Sequence, residues 1–413
     1  MSELDQYKAN ECRYCDEQLP APFLDLGIQP LANNLVKSTD EKEFKCDLAL
    51  SLCPTCRLTQ LSHVVPADLM FKHYLYVSST TQTFRDHFAA YANDLSNKCN
   101  KKENKVSVDI GSNDGLLVKC FTNEGFKAIG VDPAENLAKK ANEEGIPTIN
   151  KYFDESCVEE IIKDYGKADV ITANNVFAHI DDIQSLVRNV KVLLSEDGIF
   201  VIEFPYYAIM QDDLVFDMIY HEHVSFINIQ PLNFLMNRFG LEIFDIKEVD
   251  SHGGSLRVYS SWKGGNYSVT DKAKSFMEKE EKGGYNTEEG AKAFADKVMA
   301  IKDKLWEFIN KAKAEGKTIA GYGAPAKAST IINFCNFGPN DIDFIIDDNP
   351  LKQDYLSPGT HIPIISSDIL KDQTPDYLII FAWNFAKEII KNNGHLKDRG
   401  VQFIVPLPEP KLI

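Results

Sequence analysis

Between Lys105 and Trp262 short apolar runs recur at Val106–Ile110, Ala128–Val131, Asp169–Ala173, Ile199–Glu203, Leu241–Glu248 and Ser255–Ser261, with helical stretches between several of them. Strand-length runs that alternate with helices predict a mostly parallel sheet covered on both faces, with the late runs at an antiparallel edge. Upstream, Leu69, Phe71, Tyr74 and Leu75, then Phe84, Phe88, Tyr91 and Leu95, are spaced for helices interrupted by Ser78-Ser79-Thr80-Thr81. The stretch before Pro66 holds only short apolar runs broken by Pro and Gly, the pattern of a small module held by something other than its core. From Lys263 to Lys311 the chain becomes charged, and Phe276, Phe294, Val298, Ile301, Leu305 and Phe308 sit at near-helical spacing, which predicts helices joining two domains. A second α/β unit follows, with strands at Thr318–Gly321, Phe344–Ile346, Tyr377–Phe381 and Gln402–Val405. The expected division is 1–66, 67–263 and 264–413.

Composition narrows the class. A chain of 413 residues can bury the cores of two or three domains. Its formal charge of −17 argues against wrapping nucleic acid or binding an anionic bilayer, so an anionic ligand must be held by local cations. The N-terminus Met-Ser-Glu-Leu-Asp-Gln shows no basic region followed by an apolar run, and no stretch approaches the ~20 apolar residues of a membrane span. A soluble cytoplasmic protein, monomeric or weakly oligomeric, is the expectation.

Nine cysteines are too sparse and uneven for a disulfide framework, and four of them form two Cys-x-x-Cys pairs, Cys12/Cys15 and Cys53/Cys56. Each pair brings two thiolates to one side of a tight turn, and four sulfurs make the closed tetrahedron of a structural zinc site. The gap between the pairs is long, and Cys46 or free thiols compete with this reading. Cys99, Cys120, Cys157 and Cys335 stand singly and read as small buried hydrophobes.

Two glycine loops carry further chemistry. Val108-Asp-Ile-Gly-Ser-Asn-Asp-Gly115 precedes the Ile129–Asp132 strand, an order that fits strand, tight loop, helix and second strand. Its glycines let backbone approach a ligand, the helix behind offers free N–H groups, and Asp132 at the second strand's tip is placed to take ribose hydroxyls. Asp109-x-Gly111-x-x-x-Gly115 lacks the close glycine pair of a dinucleotide site. The loop resembles that of S-adenosylmethionine-dependent methyltransferases, with Asn113 where those enzymes usually carry a middle glycine. Gly321-x-Gly323-x-x-Ala326 meets the looser dinucleotide fingerprint and is followed by Asp347-Asp348, but one mononucleotide-type unit is too short for both halves of a dinucleotide.

Glu203-Phe-Pro-Tyr-Tyr207 and Tyr220-His-Glu-His-Val-Ser-Phe226 narrow the resemblance, since with the cysteine pairs, Tyr76–Arg85, Asn174–His179, His252–Arg257 and Gly321–Lys327 they are similar to the sugar C-methyltransferases over nearly the whole chain. That family methylates a ring carbon of nucleotide-linked 4-keto-6-deoxy sugars. The resemblance implies an α/β fold in three parts: a small N-terminal zinc-binding module, a central Rossmann-like S-adenosylmethionine methyltransferase domain and a C-terminal Rossmann-like α/β domain that handles the nucleotide diphosphate. It implies S-adenosylmethionine and structural zinc as cofactors, and a nucleotide-diphosphate keto sugar, thymidine-linked by default with guanosine open, as acceptor.

Deprotonating carbon beside a ketone needs a base poised near neutrality and donors for the enolate. The resemblance makes His223 the base, with Glu222 to orient an imidazole or hold a sugar hydroxyl, Tyr220 to donate to the oxyanion and His179 second in rank. Asp109, Gly111, Asn113, Gly115 and Asp132 form the cofactor loop, Asn174 or Asn175 meets the cofactor's amino-acid portion, and Tyr152 and Phe153 either flank adenine or pack in the core. Phosphate falls to Gly323, Ala324 and Lys327; Asp347, Asp348 and Trp383 face base or ribose, with core packing the equal alternative for Trp383. By resemblance alone, Tyr76, Ser78, Ser79, His252, Ser255 and Arg257 join the sugar or phosphate contacts. C3 is the expected methylated carbon, with C5, an O- or N-acceptor recruited by the zinc module, and a nonenzymatic sugar-nucleotide binder as alternatives.

Overall fold

The computed structural model of the chain describes residues 3–71, 82–99, 101, 103–250 and 254–413. Its strands, in chain order, are β1 (Leu24–Pro30), β2 (Lys45–Leu52), β3 (Thr59–Leu61), β4 (Val106–Ile110), β5 (Lys127–Val131), β6 (Thr148–Ile149), β7 (Ala168–Asn174), β8 (Leu194–Pro205), β9 (Ser225–Phe226), β10 (Leu241–Val249), β11 (Ser255–Trp262), β12 (Ile319–Tyr322), β13 (Ile345–Ile346), β14 (Tyr355–Leu356), β15 (Pro363–Ile365), β16 (Tyr377–Ile380), β17 (Gln402–Val405) and β18 (Lys411–Leu412). They form three sheets.

The central sheet runs β10-β11-β8-β7-β4-β5-β6. Its five strands from β8 to β6 are parallel, and β11 and β10 add the antiparallel edge. Alternation along the strands explains why both faces are apolar. Ile171, Phe200 and Ile202 point into one core, while Val170, Ile199 and Val201 point into another that helix Gln82–Lys98 closes with Phe88, Tyr91, Ala92 and Leu95. Those four helical positions are one i, i+3, i+4, i+7 stripe, and three of them match the spacing read from the sequence. Helices Asp271–Gly283 and Glu288–Ala314 follow as expected. The C-terminal sheet, β14-β15-β13-β12-β16-β17-β18, is parallel from β15 to β17 with an antiparallel strand at each edge.

The N-terminal module departs from expectation in two ways. It shares a core with the C-terminal unit: β1 and β2 turn Leu24, Leu26, Leu48 and Leu50 inward against residues such as Phe334 and Ile332. Its sheet, β1-β2-β3-β9, is completed by a strand from the middle of the chain, with Thr59 opposite Phe226 and Gln60 opposite Ser225. A two-residue strand carries too short a pattern to be read from sequence. Among the described residues no helix is long and apolar enough to cross a membrane.

Candidate active site

The three units enclose one cavity of about 2200 Å³. That exceeds the ~300–1,000 Å³ typical of a single small-ligand pocket and leaves room for two ligands side by side.

One wall is the loop after β4. Gly111 has φ of 68° and Asn113 of 54°, and a Cβ on Gly111 would lie 2.8 Å from Val176 Cγ2. Asn113 replaces a glycine here because asparagine tolerates the left-handed region. Asp132, at the end of β5, staples the loop: its Oδ2 accepts from the Asn113 N–H at 2.7 Å and its Oδ1 from the Ala134 N–H at 2.8 Å. Burial raises its carboxyl above the usual range. Asp109 is 4% exposed and accepts from the Thr172 hydroxyl at 2.6 Å and the Asn174 amide at 3.3 Å. Asn174 and Asn175 line the cavity at the end of β7, and among the described residues the buried Oδ1 of each has no hydrogen-bond partner. Two orphan carbonyls beside two carboxylates suit a cationic amino group. Tyr152 lines the cavity half-exposed, its hydroxyl donating to Asp68, and Phe153 beside it also packs against the core.

Facing this wall is the strip Tyr220–His223. His223 Nδ1–H donates to the Met218 carbonyl at 2.7 Å, which fixes the proton on Nδ1 and leaves the lone pair on Nε2. The Tyr220 ring lies 4.1 Å and the His179 ring 5.0 Å from the His223 ring, centroid to centroid. Glu222, 6% exposed, accepts from the Asn33 amide at 2.6 Å. His221 turns away: its Nε2–H donates to the Cys46 carbonyl at 3.2 Å, and burial pulls its pKa down to about 4. Asn33 and Arg13, both from the N-terminal module, also line the cavity. Nothing in the local sequence marks either of them, since only the fold of the module brings them there.

The third wall is the loop after β12. Asp347, at the tip of β13, holds it as Asp132 holds the first, with Oδ2 accepting from the Ala324 N–H at 2.7 Å. Gly323 has φ of 88°, and a Cβ there would meet Ala382 at 2.6 Å, so it shapes the turn. Ala324 and Lys327 line the cavity. Lys327, at the start of helix Ala326–Cys335, sits with Nζ 4.0 Å over the Trp383 ring and 2.7 Å from Asn384 Oδ1, and burial lowers its pKa.

Of the candidate contacts, Asp347 and Gly115 stand behind their loops, and Gly115 caps helix Leu116–Asn123 with φ of 78°. Ser255 and Arg257 are buried on β11, and neither is among the cavity-lining residues. Arg257 pairs with Glu203 at 2.8 Å beneath the Tyr91 ring. Burial opposes the Glu203 charge, but the His87 hydrogen bond at 2.9 Å and Arg257 hold its carboxyl below the usual range. Tyr76, Ser78, Ser79 and His252 lie outside the described residues.

The four thiols Cys12, Cys15, Cys53 and Cys56 have all their Sγ atoms within 4.8 Å of one another, with Cys12–Cys56 at 3.4 Å and Cys15–Cys53 at 3.5 Å. A tetrahedral zinc with bonds of ~2.3 Å sets sulfur–sulfur edges of about 3.8 Å, so the cluster fits the ion with little adjustment. Hydrogen bonds from Cys12 and Cys56 hold the Cys53 thiol well below the usual range. Cys46 is not part of the cluster: it packs with Leu31 and Val65. Cys99, Cys157 and Cys335 are buried, and Cys120 is partly so.

A methyltransferase-domain family matches residues 82–246, which contain the cofactor wall, and a zinc-binding-domain family matches residues 12–71. The molecule is an S-adenosylmethionine-dependent methyltransferase with an N-terminal zinc module. The C-methyltransferase C-terminal domain family matches residues 250–408, and the C-methyltransferase NovU of Streptomyces niveus is 34% identical over 406 residues, 98% of this chain and 97% of that one. The chain belongs to this C-methyltransferase family. More distantly, the ubiquinone biosynthesis O-methyltransferase of Coxiella burnetii (strain Dugway 5J108-111) is 25% identical over 159 residues, 36% of this chain and 68% of that one. Solved structures resembling part of the chain include magnesium protoporphyrin IX methyltransferase of Synechocystis PCC 6803 with bound SAM, at 11% identity and a TM-score of 0.32 over 43% of this chain and 78% of that one.

Proposed function

We propose that this C-methyltransferase acts on C3, beside the ketone, of a nucleotide-diphospho 4-keto-6-deoxyhexose, and that residues 1–66, 67–263 and 264–413 act as zinc module, methyltransferase domain and nucleotide-sugar domain. The observation that carries the reading is His223 with its proton fixed on Nδ1, in a cavity that opens on both the Gly111–Asn113 loop and the Ala324–Lys327 loop. Nε2 takes the proton from C3, and the electron pair spreads onto the ketone oxygen as an enolate. Tyr220 is the donor nearest His223 for that oxygen, and Glu222, oriented by Asn33, holds a sugar hydroxyl. When bound, S-adenosylmethionine would supply an already electrophilic methyl group to that carbon, while His223 keeps the abstracted proton. Asp109, Asn174 and Asn175 hold the cofactor's amino-acid end, Asp132 its ribose, and Tyr152 and Phe153 flank adenine.

The test is mass spectrometry of enzyme incubated with S-adenosylmethionine and thymidine-diphospho 4-keto-6-deoxyglucose in deuterated water. A methyl gain is expected, with solvent deuterium entering C3 only in sugar that remains unmethylated, because the methylated carbon keeps no hydrogen. Deuterium at C5 would relocate the chemistry, and neither mass gain nor exchange with thymidine- or guanosine-linked sugars would overturn the acceptor.

Two further outcomes follow from the walls of the cavity. Lys327→Ala removes the cation facing the diphosphate, and a KM for the nucleotide sugar raised roughly tenfold is expected; an unchanged KM would take the phosphate elsewhere. Asp109 is pushed from 3.8 to about 7, chiefly by burial and further by Asp132, against the Thr172 and Asn174 hydrogen bonds. Because its folded value is the higher one, protonation stabilises the folded chain; that contribution is complete below pH 3.8 and is lost as pH rises through about 7. A cationic cofactor offsets the ionised carboxylate, so the rise in Tm on adding S-adenosylmethionine should be larger at about pH 8 than at about pH 6. Equal rises would remove Asp109 from the cofactor's surroundings.

A further inference from the structure

The segment Phe216–Ile219, immediately before the Tyr220–His223 strip, is anchored by the C-terminal unit. Phe216 packs edge-on against Phe334 at 5.5 Å, the Thr330 hydroxyl donates to the Ile219 carbonyl at 2.8 Å, and the Trp383 indole N–H donates to Asp217 Oδ2 at 2.6 Å. Asp217 is fully buried, and among the described residues its other oxygen has no hydrogen-bond partner. Its neighbour Met218 supplies the carbonyl that accepts His223 Nδ1–H.

We infer that Trp383 and Asp217 are positioning residues through which the nucleotide-handling unit fixes the Met218 carbonyl and so the imidazole of His223. A buried carboxylate with one satisfied oxygen is costly unless something holds it in place. What holds it here is the indole N–H at its edge and the charge of Lys327 over the indole face. Burial pushes Asp217 up to about 6, and Lys327 and Trp383 oppose that rise. The cation expected to meet the diphosphate therefore lies against the ring that holds the base's support, and misplacing a base by about 1 Å can cost ~10²-fold in rate. Substrate binding in one sheet is thus tied to proton abstraction beside another.

The inference rests on the reading of His223 as the base, and its test separates the two. Trp383→Phe keeps an aromatic ring for Lys327 to lie against and deletes the N–H, along with one ring of the indole. It should lower kcat at least tenfold, with KM for the nucleotide sugar within about threefold, and slow solvent deuterium exchange in proportion. Asp217→Asn retains an acceptor for the indole and should keep kcat within about threefold, whereas Asp217→Ala should match Trp383→Phe. A Trp383→Phe enzyme with unchanged kcat, or with only KM raised, would overturn the inference and leave Trp383 a wall of the nucleotide site. A second readout needs no sugar. In ¹⁵N-histidine-labelled protein, with His223→Asn giving the assignment, the His223 signals should show Nδ1 protonated in the wild type and a mixed or shifted pattern in Trp383→Phe. If no keto sugar is methylated but this change appears, the positioning stands and the acceptor is wrong; identical ¹⁵N patterns would sink the positioning whatever the acceptor.

Discussion

Replacing His223 by asparagine is expected to lower methyl transfer by roughly 10³-fold while S-adenosylmethionine still binds within about threefold of the wild type, because a positioned base contributes ~10²–10⁴ and touches only the acceptor. The asymmetry follows from the layout. The cofactor wall is built from the ends of β4, β5 and β7 and is stapled by Asp132, none of which His223 supports. Asparagine can still donate to the Met218 carbonyl, so the strip should keep its shape while losing the lone pair that Nε2 offers. Solvent deuterium exchange in the absence of cofactor is the cleaner readout, since it isolates proton abstraction from transfer. If His223→Asn kept both exchange and turnover, the base would be elsewhere. His179, 5.0 Å away ring to ring and carried on the loop after β7, would be the next residue to replace.

How much of this was legible in the sequence depended on the range of the interactions involved. Strands such as β4, whose five residues are all buried, carry their pattern locally, and so does the loop whose glycines have positive φ. The acids Asp132 and Asp347 were legible as strand-end residues, but their geometry is the same in both sheets: each staples the preceding loop through backbone N–H groups. Arg257 shows the limit. By resemblance alone it is a candidate sugar or phosphate contact; β11 pairs with β8 so that Arg257 stands opposite Glu203, and a buried ion pair takes up its charge. Nothing within a few residues of Arg257 announces Glu203. Asn33, Arg13 and Asp217 are legible only in three dimensions for the same reason: each acts on a residue far along the chain, Asn33 on Glu222, Arg13 on Val224 and Asp217 on Trp383.

Arg13 explains why losing the zinc ligands should damage the active site as well as the module. It lies between Cys12 and Tyr14, its side chain 4% exposed, and donates through Nη1 to the Val224 carbonyl and through Nε to Asp181 at 3.1 Å. Val224 directly follows His223, and its N–H donates to the Ala178 carbonyl, next to His179. One guanidinium from the metal knuckle therefore braces the segments that carry both histidines, and β3 adds the pairing with β9 and a bond from the Leu61 N–H to the Val224 carbonyl at 3.0 Å. Structural zinc contributes ~10–16 kcal/mol in small metal modules, which matches or exceeds the ~5–15 kcal/mol stability of a whole domain. Cys53→Ser should accordingly abolish stoichiometric zinc, measured by elemental mass spectrometry, and cut the yield of folded protein severalfold. In whatever folds, kcat should fall at least tenfold while the affinity for S-adenosylmethionine stays within about threefold, because the Gly111–Asn113 loop belongs to a different sheet. Zinc-free protein with the wild-type kcat would show that the knuckle stabilises only its own module, and that the brace from Arg13 to Val224 is dispensable for the chemistry.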